Sequence, residues 1–275
     1  MGIDRRKFLK AAGLTSIAGI AGKTGMKLLA SEIDPESLPD SLELVDPDTL
    51  SKSRNDGTPL TAKRWAMVVD LNKCNDEHDC TACIDACHID HNVPKFEKKK
   101  DEVKWVWKEH FEHAFHEQDN EHLPEKMLHS TPLLLCNHCD HPPCVSVCPT
   151  EATWKRDDGI VMMDWHRCIG CRYCIAGCPY GSRSFNWRDP RPFIDEINDD
   201  FPTRSKGVVE KCTFCEEKLA KGQLPTCVQA CKAGALYFGD LSDPESDVRK
   251  ALNSKFSIRR KPALGTQPEV YYLVS

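Results

Sequence analysis

The stretch that decides the fold is "HRCIGCRYCIAGCPYG" (166–181), which sets Cys168, Cys171, Cys174 and Cys178 within eleven positions and follows the last with Pro179. One tight loop can aim three thiols spaced two residues apart at a common point. The fourth stands three residues further on, and the proline, which has no N–H to donate, ends the local segment and bends the chain away. The spacing therefore assigns the fourth thiol to a different destination from its three neighbours.

Working outward, the same grouping recurs. All 16 cysteines of the 275-residue chain fall into four groups of four. Group one is Cys74, Cys80, Cys83 and Cys87; group two is Cys136, Cys139, Cys144 and Cys148, followed by Pro149. Group three is the opening stretch, and group four is Cys212, Cys215, Cys227 and Cys231. Clustering of this kind points to polynuclear metal sites. Group three is the C-x2-C-x2-C-x3-C-P run that binds [4Fe–4S] cubanes, with the fourth thiol ligating the neighbouring cluster. Group two lengthens one gap with "DHPP" (140–143). Groups one and four depart further, and their CxxC pairs, Cys80/Cys83 and Cys212/Cys215, leave zinc as an alternative there. Disulfides fit poorly, because three cysteines within seven positions pair badly with one another.

Around the groups an internal repeat is legible. "MVVDLNKC" (67–74) parallels "VMMDWHRC" (161–168): an apolar strand, an aspartate, then a basic residue beside the first cysteine. After the fourth cysteines, "CPTEATW" (148–154), "CPYGSRSF" (178–185) and "CKAGALYF" (231–238) each lead through a small residue into a strand with an aromatic. The expected fold is α+β, two ferredoxin-like [4Fe–4S] modules over residues 61–240 with insertions at about 94–132 and 186–207. In the first insertion Val103, Trp105 and Trp107 alternate as one face of a strand. The second reads as a Pro-rich surface excursion. Residues 241–275 form an extension with a short helix at 245–254 and an extended "PEVYYLV", docking on the core or on a partner.

The N-terminal 1–30 carries Arg5-Arg6, then Phe8, Leu9 and a mildly apolar run too short to span a bilayer, the pattern of a twin-arginine export signal. A polar linker follows at 31–60. Export and cysteine content explain each other, since that route carries proteins already folded around cofactors. With 37 basic and 42 acidic residues the net charge is −5, which gives no footprint for nucleic acid. No phosphate loop, nucleophile elbow or metalloprotease helix is present, so no catalytic residue and no small-molecule substrate are assigned. His110, His113, His116, His122 and His129 crowd the first insertion and read as solvated or partner-facing. His88, His91, His138, His141 and His166 flank cysteines, where they suit hydrogen bonds to sulfur or backbone.

At "CNHCDHPPCVSVCPTEAT", "DGIVMMDWHRCIGCRYCIAGCPYGSRSFNW" and "KCTFC…LPTCVQACKAGAL" the chain resembles the four-cluster electron-transfer subunits of exported membrane oxidoreductases. "FNWRDPRPFI", "FPTRSKGVVEKC" and "LGTQPEVYYL" carry a closer likeness to the DsrO type, the periplasmic iron–sulfur subunits of Dsr membrane complexes. The resemblance implies four [4Fe–4S] clusters with exchanged fourth ligands. Cluster 1 takes Cys74, Cys80, Cys83 and Cys231, and cluster 2 takes Cys136, Cys139, Cys144 and Cys178. Cluster 3 takes Cys168, Cys171, Cys174 and Cys148, and cluster 4 takes Cys212, Cys215, Cys227 and Cys87. It also implies a periplasmic seat on an NrfD-like membrane protein that exchanges electrons with menaquinone, beside a multihaem cytochrome c and further membrane and cytoplasmic redox subunits. Three roles stay open: a Dsr-type wire in sulfite metabolism, the same wire for a molybdopterin reductase of tetrathionate or polysulfide type, and a free periplasmic polyferredoxin.

Overall fold

"WAMVVD" makes the first strand, β1 (Trp65–Asp70), and every one of its six residues is buried. A strand with no polar side must be covered on both faces. Here Trp65, Met67 and Val69 enter the main apolar core, while Ala66 and Val68 enter a smaller one with Val248, Ala251 and Leu273. A computed structural model describes residues 57–74, 80–118 and 121–274, all within one unit, Val45–Ser275. The signal segment and the linker up to residue 56 lie outside the described residues.

Along the chain follow α1 (Leu71–Cys74), α2 (Ala82–Asp90), β2 (Val106–Lys108), α3 (Phe111–Ala114), α4 (Glu125–Leu128), β3 (Leu133–Leu135) and α5 (Pro143–Ser146). Next are β4 (Thr153–Lys155), β5 (Val161–Met163), α6 (Tyr173–Gly177), β6 (Ser184–Phe185), β7 (Val209–Glu210), α7 (Glu216–Leu219) and α8 (Thr226–Gln229). The chain ends with β8 (Leu236–Asp240), α9 (Asp247–Ser254), β9 (Ser257–Ile258) and β10 (Val270–Leu273). These short helices and small sheets make an α+β fold.

The pairing of the strands orders the cysteine groups. The largest sheet runs β8-β1-β10-β9, so the strand before group one pairs, antiparallel, with the strand after group four. The strand after group two, β4, likewise pairs with β5, the strand before group three. The helices follow suit: α2 packs on α8, and α5 on α6. Groups one and four thus share one half of the molecule, and groups two and three the other.

Both repeat aspartates have a physical reason. Asp70 Oδ1 accepts the N–H of Asn72 at 3.0 Å, and Asp164 Oδ1 accepts that of His166 at 2.8 Å, so each turns its strand into a cysteine loop. The C-terminal segment docks on the core by strand pairing, with β10 parallel to β1 from Met67↔Val270 to Asp70↔Leu273. Its helix starts at the cap Ser246, whose Oγ accepts the Arg249 N–H at 3.2 Å.

Two expectations for the insertions need correction. The strand in the first is only Val106–Lys108, and Val103, Trp105, Val106 and Trp107 are all buried, so no single apolar face exists. The segment is enclosed between β3 and the second insertion. That second insertion is no mere surface excursion either. Arg204 and Asn186 are buried, and Arg204 Nε donates to Glu210 at 2.7 Å and Nη2 to Asn92 O at 2.8 Å. Trp105 Nε1 donates to the same carboxylate at 2.7 Å, which staples both insertions to β7.

Candidate iron–sulfur sites

The CxxC turns share one backbone device. The second residue between the thiols is left-handed in groups two, three and four: His138 at φ 41°, Gly170 at φ 72° and Phe214 at φ 57°. This reversal lets the chain wrap around one point, and it costs conformational energy wherever the residue has a Cβ. The strain is shared with packing. His138 and Phe214 stack on each other with ring centroids 3.7 Å apart, so the turns of groups two and four meet face to face.

The thiols gather across groups. Cys74, Cys80, Cys83 and Cys231 line one cavity, together with Lys108 and Leu133. Cys87, Cys212, Cys215 and Cys227 line a second, walled by Met67, His91, Trp105 and Phe214. In each cavity the fourth thiol comes from the other group. In the second half of the molecule, the charge of Cys178 bears on Cys139 alongside those of Cys136 and Cys144. Cys148 and Cys168 bear likewise on Cys174. Cys171 is the one exposed thiol of the sixteen. Adjacent sets touch electrostatically too: Cys83 acts on Cys227, and Cys136 on Cys212.

Burial, reinforced by neighbouring thiols, pushes Cys83, Cys139 and Cys212 up to about 12 and Cys87, Cys215 and Cys227 well above the usual thiol range. Four such groups in one cavity can ionise together only around a positive core. The backbone is arranged for that ionised state. N–H groups of Phe214, Thr226 and Ala235 point at the sulfurs of Cys212, Cys215 and Cys231, at 3.4, 3.4 and 3.3 Å. At Cys148 burial again pushes the thiol up, yet hydrogen bonds from Thr150, Thr153 and Ala152 bring it below its ordinary value. Soft sulfur donors in fours, with N–H groups aimed at them, suit iron–sulfur clusters.

Of the five cysteine-flanking histidines, His88, His91 and His138 behave as second neighbours, while His141 and His166 are exposed. His91 Nδ1 lies 2.8 Å from Cys87 O and its Nε2 3.1 Å from Glu217 Oε1. His138 is held well below the usual imidazole range by burial and by Lys211 and Arg183, and its Nδ1 accepts the Val161 N–H at 3.1 Å. His88 Nε2 lies 3.2 Å from Val106 O. The five insertion histidines are all exposed. Among the described residues, a His/Cys/carboxylate grouping at ligand spacing is His91, Cys215 and Glu217, which belongs to the second cavity. Two buried cations, Arg183 and Lys211, stand beside the thiols; each falls in a cysteine motif, "CPYGSR" and "EKC", but the letters alone assign it no role.

Comparison with known proteins bears on the kind of cofactor. Residues 129–191 and 198–241 match the 4Fe-4S dicluster domain family. The chain is 43% identical to the Hdr-like menaquinol oxidoreductase iron-sulfur subunit 1 of Archaeoglobus fulgidus over 230 residues, spanning 76% of this chain and 83% of the relative. It is 37% identical to the iron-sulfur cluster-binding subunit of menaquinone reductase from Nitratidesulfovibrio vulgaris, over 76% of this chain and 88% of that one. It is also 37% identical to a tetrathionate reductase subunit of Salmonella typhimurium, over 81% and 76% of the two chains. The chain therefore belongs to the family of dicluster 4Fe–4S iron–sulfur subunits of the menaquinol oxidoreductase and NrfC type.

Proposed function

We propose that each thiol set holds one [4Fe–4S] cluster, four in all, and that the chain is the electron wire of a membrane-bound respiratory oxidoreductase. The observation that carries this is the cross-group lining of the cavities, with Cys231 among the group-one thiols and Cys87 among those of group four. When bound, such clusters take up and release electrons one at a time. The residues of the chain do the rest. The sets adjoin in the order Cys83 to Cys227, Cys212 to Cys136, and Cys144 to Cys174 through Arg183, which gives a single file 1–4–2–3. Buried aromatic walls insulate the middle of the file, and exposed Cys171, with Ile169 and Tyr173 exposed beside it, leaves one end open to a partner.

In this reading the wire joins an NrfD-like, quinone-interacting membrane subunit to other redox subunits, with no substrate site of its own. Arg5-Arg6 supports export in folded form to the periplasmic face of the membrane. The motifs "FNWRDPRPFI", "FPTRSKGVVEKC" and "LGTQPEVYYL" favour a DsrO-type place in dissimilatory sulfur metabolism, with a multihaem cytochrome among the partners, and likeness to a menaquinol oxidoreductase subunit supports its quinone-linked part. Likeness to subunits of tetrathionate and polysulfide reductases favours a second reading, the same wire serving a molybdopterin reductase. Iron and acid-labile sulfide on anaerobically purified protein test the core of the proposal. The expected content is about sixteen irons per chain. About eight irons with two zincs would assign groups one and four to zinc and shorten the wire by half.

A further inference from the structure

Of the four buried arginine and lysine side chains among the described residues, one faces a carboxylate. Arg204 pairs with Glu210, the two side chains lying 2.6 Å apart and fully buried, while Arg260 donates instead to the backbone carbonyls of Ala114 and Tyr180. Arg183 and Lys211 differ from both in having thiols around them. Arg183 is 4% exposed and Lys211 is fully enclosed, and among the described residues neither makes an ion pair with a carboxylate. An uncompensated buried charge is costly, and a guanidinium cannot escape by losing its proton. The counter-charge must lie elsewhere.

It lies on sulfur. Arg183 Nη2 donates to Cys144 Sγ at 3.0 Å, and the charge of the same side chain acts on Cys174. Cys144 stands with Cys136, Cys139 and Cys178, whereas Cys174 stands with Cys168 and Cys148. One guanidinium therefore spans two thiol sets. Its aim is fixed by Thr153, whose hydroxyl donates to Met162 O at 2.6 Å and so offers only its lone pairs to Nη2, at 2.8 Å. Lys211 holds the corresponding place at the next joint, donating to Cys212 O at 2.7 Å and to Val161 O, within the fields of Cys136, Cys144 and Cys212.

We propose that Arg183 is a shared tuning residue: a permanent buried charge that raises the reduction potentials of the two clusters flanking it together and keeps them close to each other. The proposal rests on the assignment of clusters to groups two and three given above. Reduction adds negative charge to a thiolate-bound cluster, and a cation or hydrogen bond at its sulfurs favours that state. Because the same charge acts on Cys144 and Cys174, the effect falls on both clusters of the pair, and Lys211 acts in the same way between the halves.

Arg183→Gln keeps donors at the sulfurs but removes the charge; Arg183→Lys keeps the charge but loses the fork. Both proteins are titrated potentiometrically under EPR, with iron counted in parallel. In Arg183→Gln two midpoints are expected to fall together, each by about a tenfold change in the oxidised-to-reduced ratio, 59 mV for one electron, while the others stay. Arg183→Lys is expected to hold both within about twofold of the parent ratio. Unmoved midpoints in an iron-replete Arg183→Gln protein overturn the proposal, and so does a fall confined to one cluster. If Arg183→Gln loses iron, Arg183→Lys decides: midpoints near the parent's support the proposal, and tenfold lower ones, or iron loss there too, overturn it. The parent's iron content tests the underlying assignment separately. Zinc in groups one and four would sink the four-cluster reading yet leave two midpoints still expected to fall.

Discussion

Cys87, Cys212, Cys215 and Cys227 are all buried, whereas of Cys148, Cys168, Cys171 and Cys174 only Cys174 is buried and Cys171 is exposed. The chemistry of the two sets is the same. The backing differs. The first lies over β1, a strand covered on both faces, behind Trp105 and Phe214. The second lies by the β4–β5 hairpin, where Trp154 and Lys155 face solvent. On the proposed wire, a relay must be insulated and a terminus must be reachable, and burial alone distinguishes the two sets.

Serine in place of cysteine gives the largest test of that contrast. At Cys227 a hydroxyl would sit in a closed cavity that solvent does not reach, so Cys227→Ser should lose about four irons per chain. Stability should fall on the order of 4–5 kcal/mol, the range that follows loss of a metal, since metal binding here is part of folding. At Cys171 water can approach the vacated position. Cys171→Ser should retain most of its iron, with a changed EPR signal and stability within about 1 kcal/mol of the parent. Iron counts and thermal unfolding under argon compare the pair, and equal losses at both positions would remove burial as the distinction.

Much of this was legible in the sequence because the ligands carry their own spacing. The repeat around Asp70 and Asp164, the four groups and the helix near 245–254 all follow from local rules. What stayed hidden depends on contacts far apart in the chain. Trp105, predicted to alternate with Val103 and Trp107 on one face, is enclosed because Glu210 and Arg204, about a hundred residues away, close over it. The same distance concealed Arg204 in a stretch whose prolines and charges suggest a surface. Arg183 and Lys211 stand in plain view as letters, but only the fold shows that no carboxylate among the described residues answers them.

A second, smaller contrast concerns two glycines of group three. Gly170 has φ +72°, and a Cβ there would stand 2.3 Å from Gly207 O and 3.2 Å from Phe185 Cε2. Gly181 has φ +67° but open space around the missing Cβ. Gly170→Ala must add a backbone collision to left-handed strain, about 3 kcal/mol together, and it must shift the turn between Cys168 and Cys171. Gly181→Ala meets only the strain, about 1 kcal/mol. Denaturant unfolding of cluster-loaded proteins reads both values. A Gly170→Ala protein as stable as Gly181→Ala would mean that the second insertion, which carries Gly207, yields freely around group three.

The smallest effect separates the two repeat aspartates, which occupy equivalent turns in unlike surroundings. Asp164 accepts the N–H groups of His166 at 2.8 Å and Arg167 at 3.3 Å, and its salt bridge to Arg167 is solvated. Replacing it by alanine forfeits a cap, about 1 kcal/mol, because water can take over the freed N–H groups. Asp70 caps Asn72 at 3.0 Å and Lys73 at 3.4 Å in the same way, but its side chain is buried and also accepts from Lys255 Nζ at 2.7 Å. Asp70→Ala therefore leaves one ammonium without its partner and two N–H groups in a place water reaches poorly, costing about 2–3 kcal/mol. Lys255 follows α9, so the loss should also loosen the C-terminal segment from the sheet. Hydrogen exchange checks this directly. Amides of Val270–Leu273 should exchange faster in Asp70→Ala and at the parent rate in Asp164→Ala. The reverse pattern would mean that the C-terminal strand is held by its pairing with β1 alone, without help from the charge at the end of that strand.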